Sequence, residues 1–170
     1  MPAIHLTIRP LTATDLPQLE WEGEYTHQRP VFQRTFADVE RGTRLMLVAV
    51  VGEQVVGQVF VQLRSSEPEF ANAGRRGYLY SLRVRPEWRG HGLGSQLIAA
   101  AEAELLARGY CEAAISAGKD NLGARRLYER LGYRVFKDDP GEWWFTDVNG
   151  VLQHIQEPCW VMEKVIQADK

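Results

Sequence analysis

Apolar and polar residues alternate over residues 4–9, the two-residue period of a strand with one buried face. Beyond Pro10, Thr14-Asp15-Leu16-Pro17 provides a helix cap with proline in the first turn. Helical segments are predicted from there to about residue 41, interrupted near Arg29-Pro30. Residues 45–51 and 55–63 are nearly continuous apolar runs around Gly52-Glu53-Gln54, the composition and spacing of a hairpin. Polar residues 65–77, with Pro68, Asn72 and Gly74, read as a loop, and residues 78–84 as a strand stopped by Pro86. Leu93, Leu97, Ile98, Ala101 and Leu105 recur at helical spacing and stop at Gly109. Residues 111–117 form the next predicted strand. Ala124, Leu127, Tyr128 and Leu131 mark a second helical stripe, ended by Gly132. Residues 133–137 and 158–166 read as strands. Asn149-Gly150, set within residues 143–155, predicts a two-residue hairpin turn.

This order contains one strand-helix-strand crossover, which implies a right-handed parallel pair inside an otherwise antiparallel sheet. The expected fold is therefore α/β (α+β): one mixed sheet with helices on both faces. No repeat, low-complexity tract or Pro/Gly/Ser linker divides the chain, so residues 1–170 are read as a single domain.

Composition narrows the function. Apolar residues make up 45% and charged residues 25%, with a formal net charge of -2. No long block of one sign offers nucleic acid or a membrane surface an electrostatic footprint. The longest apolar stretch is strand-sized, and no basic segment leads into an apolar one at the N-terminus, so a cytoplasmic protein is expected. Cys111 and Cys159 are far apart and flanked by Tyr110 and Trp160, the setting of buried, reduced thiols. His5, His27, His91 and His154 lack ligand spacing, so no metal site is predicted.

The informative segment joins a strand directly to a helix: Val84-Arg85-Pro86-Glu87-Trp88-Arg89-Gly90-His91-Gly92-Leu93-Gly94-Ser95, with glycine at alternate positions. Glycine permits positive φ and lets a ligand touch the backbone. The unpaired N–H groups of the following helix and its dipole favour an anion in the same space. Arg85 and Arg89 bring full charges nearby. Together these are the parts of a pyrophosphate cradle, and a ligand-free turn is the plainer alternative. A P-loop needs a lysine where Gly94-Ser95 has none. The dinucleotide fingerprint needs Gly-x-Gly-x-x-Gly after the first strand of a parallel series, and neither condition holds.

The spacing that is met is Arg-x-x-Gly-x-Gly, at Arg89, Gly92 and Gly94. Residues 82–94 resemble the acetyl-CoA signature of the GNAT superfamily of N-acetyltransferases. A second block of that family is matched by Asn121-Leu122-Gly123-Ala124-Arg125-Arg126-Leu127-Tyr128-Glu129-Arg130-Leu131-Gly132-Tyr133. The resemblance implies a splayed pair of parallel strands, with the pantetheine arm against the main chain of Leu82 and Val84. It implies a pyrophosphate held by Arg89, Gly90, His91, Gly92, Leu93, Gly94 and Ser95. Asn121 would bond the arm from the far side, or else simply cap the helix that follows. Tyr128 would be the general acid for the departing thiolate, or else only a member of the apolar stripe.

The implied reaction is direct transfer of acetyl from acetyl-CoA to the primary amine of a small molecule or peptide. A CoA-binding sensor without turnover is the alternative, supported by the lack of a carboxylate on residues 78–83, where several relatives carry a glutamate. Ser81 or Tyr80 holding a water, Glu24 and Glu142 remain candidates for the base. The acceptor side is expected in residues 16–41, with Glu20, Trp21, Glu22, Glu24 and Tyr25, and in the late hairpin 142–157 with the residues just before it, with Asp138, Asp139, Glu142, Trp143, Trp144 and Asp147, a setting for a cationic amine. An exposed late strand offers an edge for a homodimer.

Overall fold

The computed structural model of the protein describes residues 5–167. Its strands are β1 (Leu6–Pro10), β2 (Arg44–Val51), β3 (Gln54–Gln62), β4 (Arg76–Val84), β5 (Glu112–Gly118), β6 (Arg134–Asp139), β7 (Glu142–Thr146), β8 (Leu152–Gln156) and β9 (Cys159–Val165). The helices are α1 (Arg29–Glu40), α2 (Leu93–Ala107) and α3 (Leu122–Arg130). Seven strands form one sheet in the order β1-β2-β3-β4-β5-β9-β6, and β7 and β8 form a separate hairpin. Only β4 and β5 run parallel, joined across α2.

Alternation along β2 divides the interior in two. Met46, Val48 and Val50 face α1 with Leu19, Phe32 and Phe60, while Leu47 and Ala49 face α2 with Leu97, Ile98, Ala101 and Leu105. Helices thus cover both faces, as the nearly continuous apolar runs of β2 and β3 require. Tyr128 of α3 and Tyr133 complete the α2-side core.

One detail positions everything that follows. In the β3–β4 pair, Phe60 opposes Tyr80 and Gln58 opposes Arg83, so Ser81 and Leu82 together face Val59. This is a bulge in β4, and Ser81 takes a left-handed φ of 51°. A non-glycine residue there costs about 1 kcal/mol or more. The fully buried Gln58 side chain helps hold it, donating from Nε2 to Ser81 O at 3.2 Å. Pairing of β4 with β5 runs from Arg76 opposite Glu112 to Leu79 opposite Ile115 and stops where the bulge begins. Beyond that point β5 stays paired with β9 through Gly118. The sheet therefore opens between the C-terminal halves of β4 and β5.

Several sequence expectations change. Residue 4 of the first predicted strand lies outside the described residues. Residues 13–23 and 26–28 are 3₁₀ turns, not α-helix. Pro17 and the left-handed Trp21 and Glu22 break the helical ladder there, and Pro30 starts α1 instead of interrupting it. The cap sits earlier than expected, where Asp15 Oδ2 accepts the Thr12 N–H at 2.7 Å. β4 begins at Arg76, two residues early. The β7–β8 connection is a five-residue loop, because Asp147 Oδ1 accepts from both Asn149 N and Val151 N and organises a wider turn than Asn-Gly alone. Cys159 is buried but Cys111 only partly so, and both thiols are free. The last strand, β9, is paired on both sides, so the late edge is β6. Among the described residues, no helix is long and apolar enough to cross a membrane.

Candidate active site

The C-terminal ends of β4 and β5 point the same way, so the segments after them share one edge of the sheet. The segment after β4 is the glycine turn. Gly92 takes φ 78° at the N-cap of α2, and Gly90 has the same φ. A Cβ at either position would meet nothing within 4 Å, so the space above the turn is open. Gln96 N–H already closes onto Gly92 O at 3.1 Å, while the Leu93, Gly94 and Ser95 N–H groups precede that first bond. Nδ1 of His91 lies 3.0 Å from Arg89 O and 3.2 Å from Trp88 O. Both neighbours are acceptors, so Nδ1 carries the proton and ties the turn together.

The two arginines of this segment part company. Arg89 Nε donates to Val84 O at 2.9 Å and stays at the turn. Arg85 is buried and faces the other way, bonding Val55 O, Gln18 O and the Glu22 carboxylate and lying against Trp21. Its charge therefore braces the first 3₁₀ turn and is not part of the cradle. A strand-end arginine reads the same in either role, so sequence alone gave no means of separating them.

The main chain of β4 is available along the opening. Arg85 N–H donates to Val56 O at 2.8 Å, so residues 83 and 85 bond toward β3 and the alternate residues Leu82 and Val84 turn the other way. The segment after β5 leads to Asn121, whose Oδ1 accepts the Ala124 N–H at 3.0 Å and caps α3. The capping role weighed from sequence is thus realised, with the amide NH₂ left over. Gly94 and the Leu127 side chain approach each other, bringing the first turn of α2 against the middle of α3.

Below the opening lies a cleft of about 920 Å³, lined by Leu82, Tyr128, the β4 residues Tyr78 to Arg83, Ile115 and Ser116 of β5, and parts of α1 and β7. Tyr128 is 7% exposed, and burial pushes its phenol up to about 12. No hydrogen bond to its hydroxyl is present among the described residues. Tyr78 donates to Ser116 Oγ at 2.8 Å and stacks on Tyr80. Burial also raises Tyr80, whose hydroxyl accepts from Arg44, so neither ring furnishes a phenolate at neutral pH.

The acids expected on the acceptor side do not act together. Glu20 pairs with Arg29, Glu22 with Arg85, Asp138 with Lys119, Asp139 with Lys137 and Glu142 with His154, and Asp147 is spent in its loop. Trp143 and Trp144 both line the cleft, yet both are exposed; Phe145 is the buried ring of β7, stacked against Trp143 and tilted toward His27. What composition did not flag is Arg83, a cation inside an apolar strand, which lies over the Tyr25 ring at 3.9 Å and donates to Gln28 Oε1 at 3.1 Å. Its signal was only its oddness between Leu82 and Val84.

Comparison with solved structures returns the same architecture. The ribosomal-protein-S18-alanine N-acetyltransferase from Escherichia coli superposes with a TM-score of 0.70 at 20% identity, over 98% of this chain and 97% of that one. Ard1 from Thermoplasma volcanium gives 0.73 at 16% identity, over 96% and 99%. The PaiA N-acetyltransferase from Thermoplasma acidophilum, solved in complex with coenzyme A, gives 0.71 at 17% identity, over 95% and 99%. Residues 11–133, from the start of the 3₁₀ segment through α3, match the acetyltransferase (GNAT) family, and the chain belongs to that family.

Proposed function

We propose that the protein is an acetyl-CoA-dependent N-acetyltransferase that passes the acetyl group directly to a primary amine. The observation that carries this reading is the opening between β4 and β5, with unpaired helix N–H groups at its rim and the Tyr128 hydroxyl in the cleft below. The residues present fit the cosubstrate. Open space over Gly90 and Gly92, with the Leu93, Gly94 and Ser95 N–H groups beneath, suits a pyrophosphate. The outward-facing main chain of Leu82 and Val84 suits an amide-bearing arm that pairs like an added strand. Arg89, now bonded to Val84 O, would release that carbonyl and turn to phosphate. The free NH₂ of Asn121 would donate from the β5 side. The PaiA structure's bound coenzyme A supports this placement by fold.

Acetyl-CoA supplies an activated acetyl thioester. Tyr128, kept protonated by burial, offers its hydroxyl to the sulfur as negative charge develops there. A thiolate is a weaker base than this phenolate, so the hydroxyl stabilises the leaving sulfur as a hydrogen-bond donor, and the proton that the amine gives up to water balances the one that the thiolate takes. No carboxylate stands on β4, so the amine's proton leaves through water held near Ser81 and Tyr80.

The test is thiol release from acetyl-CoA across a panel of amines, with products read by mass spectrometry as a gain of one acetyl group. We expect at least one amine to accelerate release and to appear acetylated. Binding of CoA with no amine-dependent release would make the protein a sensor.

A further inference from the structure

Among the described residues, Arg83 Nη1 is the only buried side-chain nitrogen or oxygen without a hydrogen-bond partner. The surroundings make this notable. Arg9, Arg44, Arg76 and Arg85, the other partly or fully buried arginines that bear on the core, each reach a carboxylate. Arg83 reaches only neutral groups, the Gln28 amide oxygen and the Tyr25 ring. Glu24 and Glu157 act on its charge through space, yet neither bonds to it. Burial accordingly disfavours its charged form, and a guanidinium stays charged regardless. The side chain is therefore a fixed cation, oriented by two neutral neighbours, in the wall of the cleft.

Such an arrangement costs stability in the empty protein and returns it when an anion arrives. Arg34, exposed on the same cleft lining, has no ion pair among the described residues and adds a solvated positive charge on the α1 side. Glu157, exposed on the lining and without an ion pair among the described residues, offers a carboxylate to an ammonium. Charges of both signs that no oppositely charged side chain bonds among the described residues, on one cleft, fit a zwitterion. Resting on the acetyltransferase reading above, we propose that the acceptor is a primary amine that also bears a carboxylate, and that Arg83, oriented by Tyr25 and Gln28, receives that carboxylate. Arg83 then sets specificity without taking part in the transfer itself.

The experiment compares amino acids and short peptides with their C-terminal amides and with the matching decarboxylated amines. Wild-type protein and the Arg83→Met and Arg83→Lys variants are assayed with acetyl-CoA, and CoA-induced thermal shifts are recorded in parallel. A charge-assisted hydrogen bond predicts that the wild type prefers the acid over its amide by roughly 10- to 100-fold in kcat/KM. Arg83→Met should erase that preference, chiefly through KM, and leave turnover of the amides and the CoA shift unchanged. Arg83→Lys should keep part of the preference. Equal use of acid and amide by the wild type overturns the assignment, with no variant needed. An equal loss on acid and amide in both variants overturns it too, because that marks a structural role. A protein that binds CoA but accepts only amines without a carboxylate sinks the Arg83 proposal alone. One with no CoA shift sinks the acetyltransferase reading and this proposal with it.

Discussion

Tyr128 is where the chemistry of one side chain and its packing meet. Its ring fills the α2-side core beside Tyr133, with centroids 6.4 Å apart, and its hydroxyl lies on the cleft side with no protein partner among the described residues. Changing it to Phe removes the hydroxyl and keeps the ring, so the fold should survive with little loss. Removal of a positioned proton donor lowers rate by about 10²–10⁴-fold. We expect that fall in kcat for Tyr128→Phe, with the CoA thermal shift retained; an unchanged kcat would make the residue core alone. Because burial holds the phenol up to about 12, it remains protonated across the whole working range. Any fall in rate below about pH 10 then belongs to another group, and the variant should show that fall at the same pH.

At the scale of elements, the regular ones were readable and the irregular ones were not. Nearly continuous apolar runs around Gly52-Glu53-Gln54 gave β2 and β3, and the stripes at Leu93, Leu97, Ala101 and Tyr128 gave α2 and α3, because burial of these faces dictates them. The 3₁₀ stretch after β1 escaped, since Pro17 and two left-handed residues leave helical spacing without a helical ladder. The bulge at Ser81 also escaped: nothing in Tyr80-Ser81-Leu82 demands a positive φ, and only pairing with β3 and the Gln58 side chain imposes it. The same holds for the acids of the acceptor side, whose partners lie far off in sequence. One such tie fastens the 3₁₀ stretch to the sheet. The Asp15 carboxylate, 5% exposed, accepts from Arg9 of β1 at 2.7 and 3.0 Å and from Thr12 N–H at 2.7 Å. Its hydrogen bonds with Arg9 hold the carboxyl down at about 2, against 3.8 when free. A depressed acid stabilises the fold above its unfolded pKa and loses that contribution as pH falls through the folded one. The contribution is about 2 kcal/mol above pH ~4, and it disappears between about pH 4 and pH 2. Asp15→Asn should therefore lower the urea midpoint at neutral pH and flatten its fall across that acid window. A variant as stable as wild type at pH 7 would show the tie to be ornamental.

On the scale of the whole molecule, the sheet is two blocks with a narrow seam. Strands β1 to β4 form one block and β5, β9 and β6 the other, and four register pairs of β4 and β5 join them. The seam is closed at the end where Arg76 meets Glu112 and Glu163 and open at the end where α2 and α3 begin. A ligand lying in the opening touches both blocks, so its binding should be felt as global stability and not only at the cradle. A ligand bound to the folded state alone, at about a hundred times its Kd, adds about 2.7 kcal/mol. For a chain of this size that corresponds to roughly 5–10 °C in Tm. We expect CoA to give a shift of that order and NAD or ATP to give none. Gly92→Val tests whether the effect enters through the cradle. Its Cβ has free space, so the variant folds with only the strain of φ 78°, while the added methyls stand over the N–H groups that an anion needs. The variant should melt several degrees below wild type without ligand, from the strain alone, and should no longer respond to CoA. A full response would mean that the glycine turn does not hold the ligand, and a response to ATP in place of CoA would move the ligand class to nucleotides.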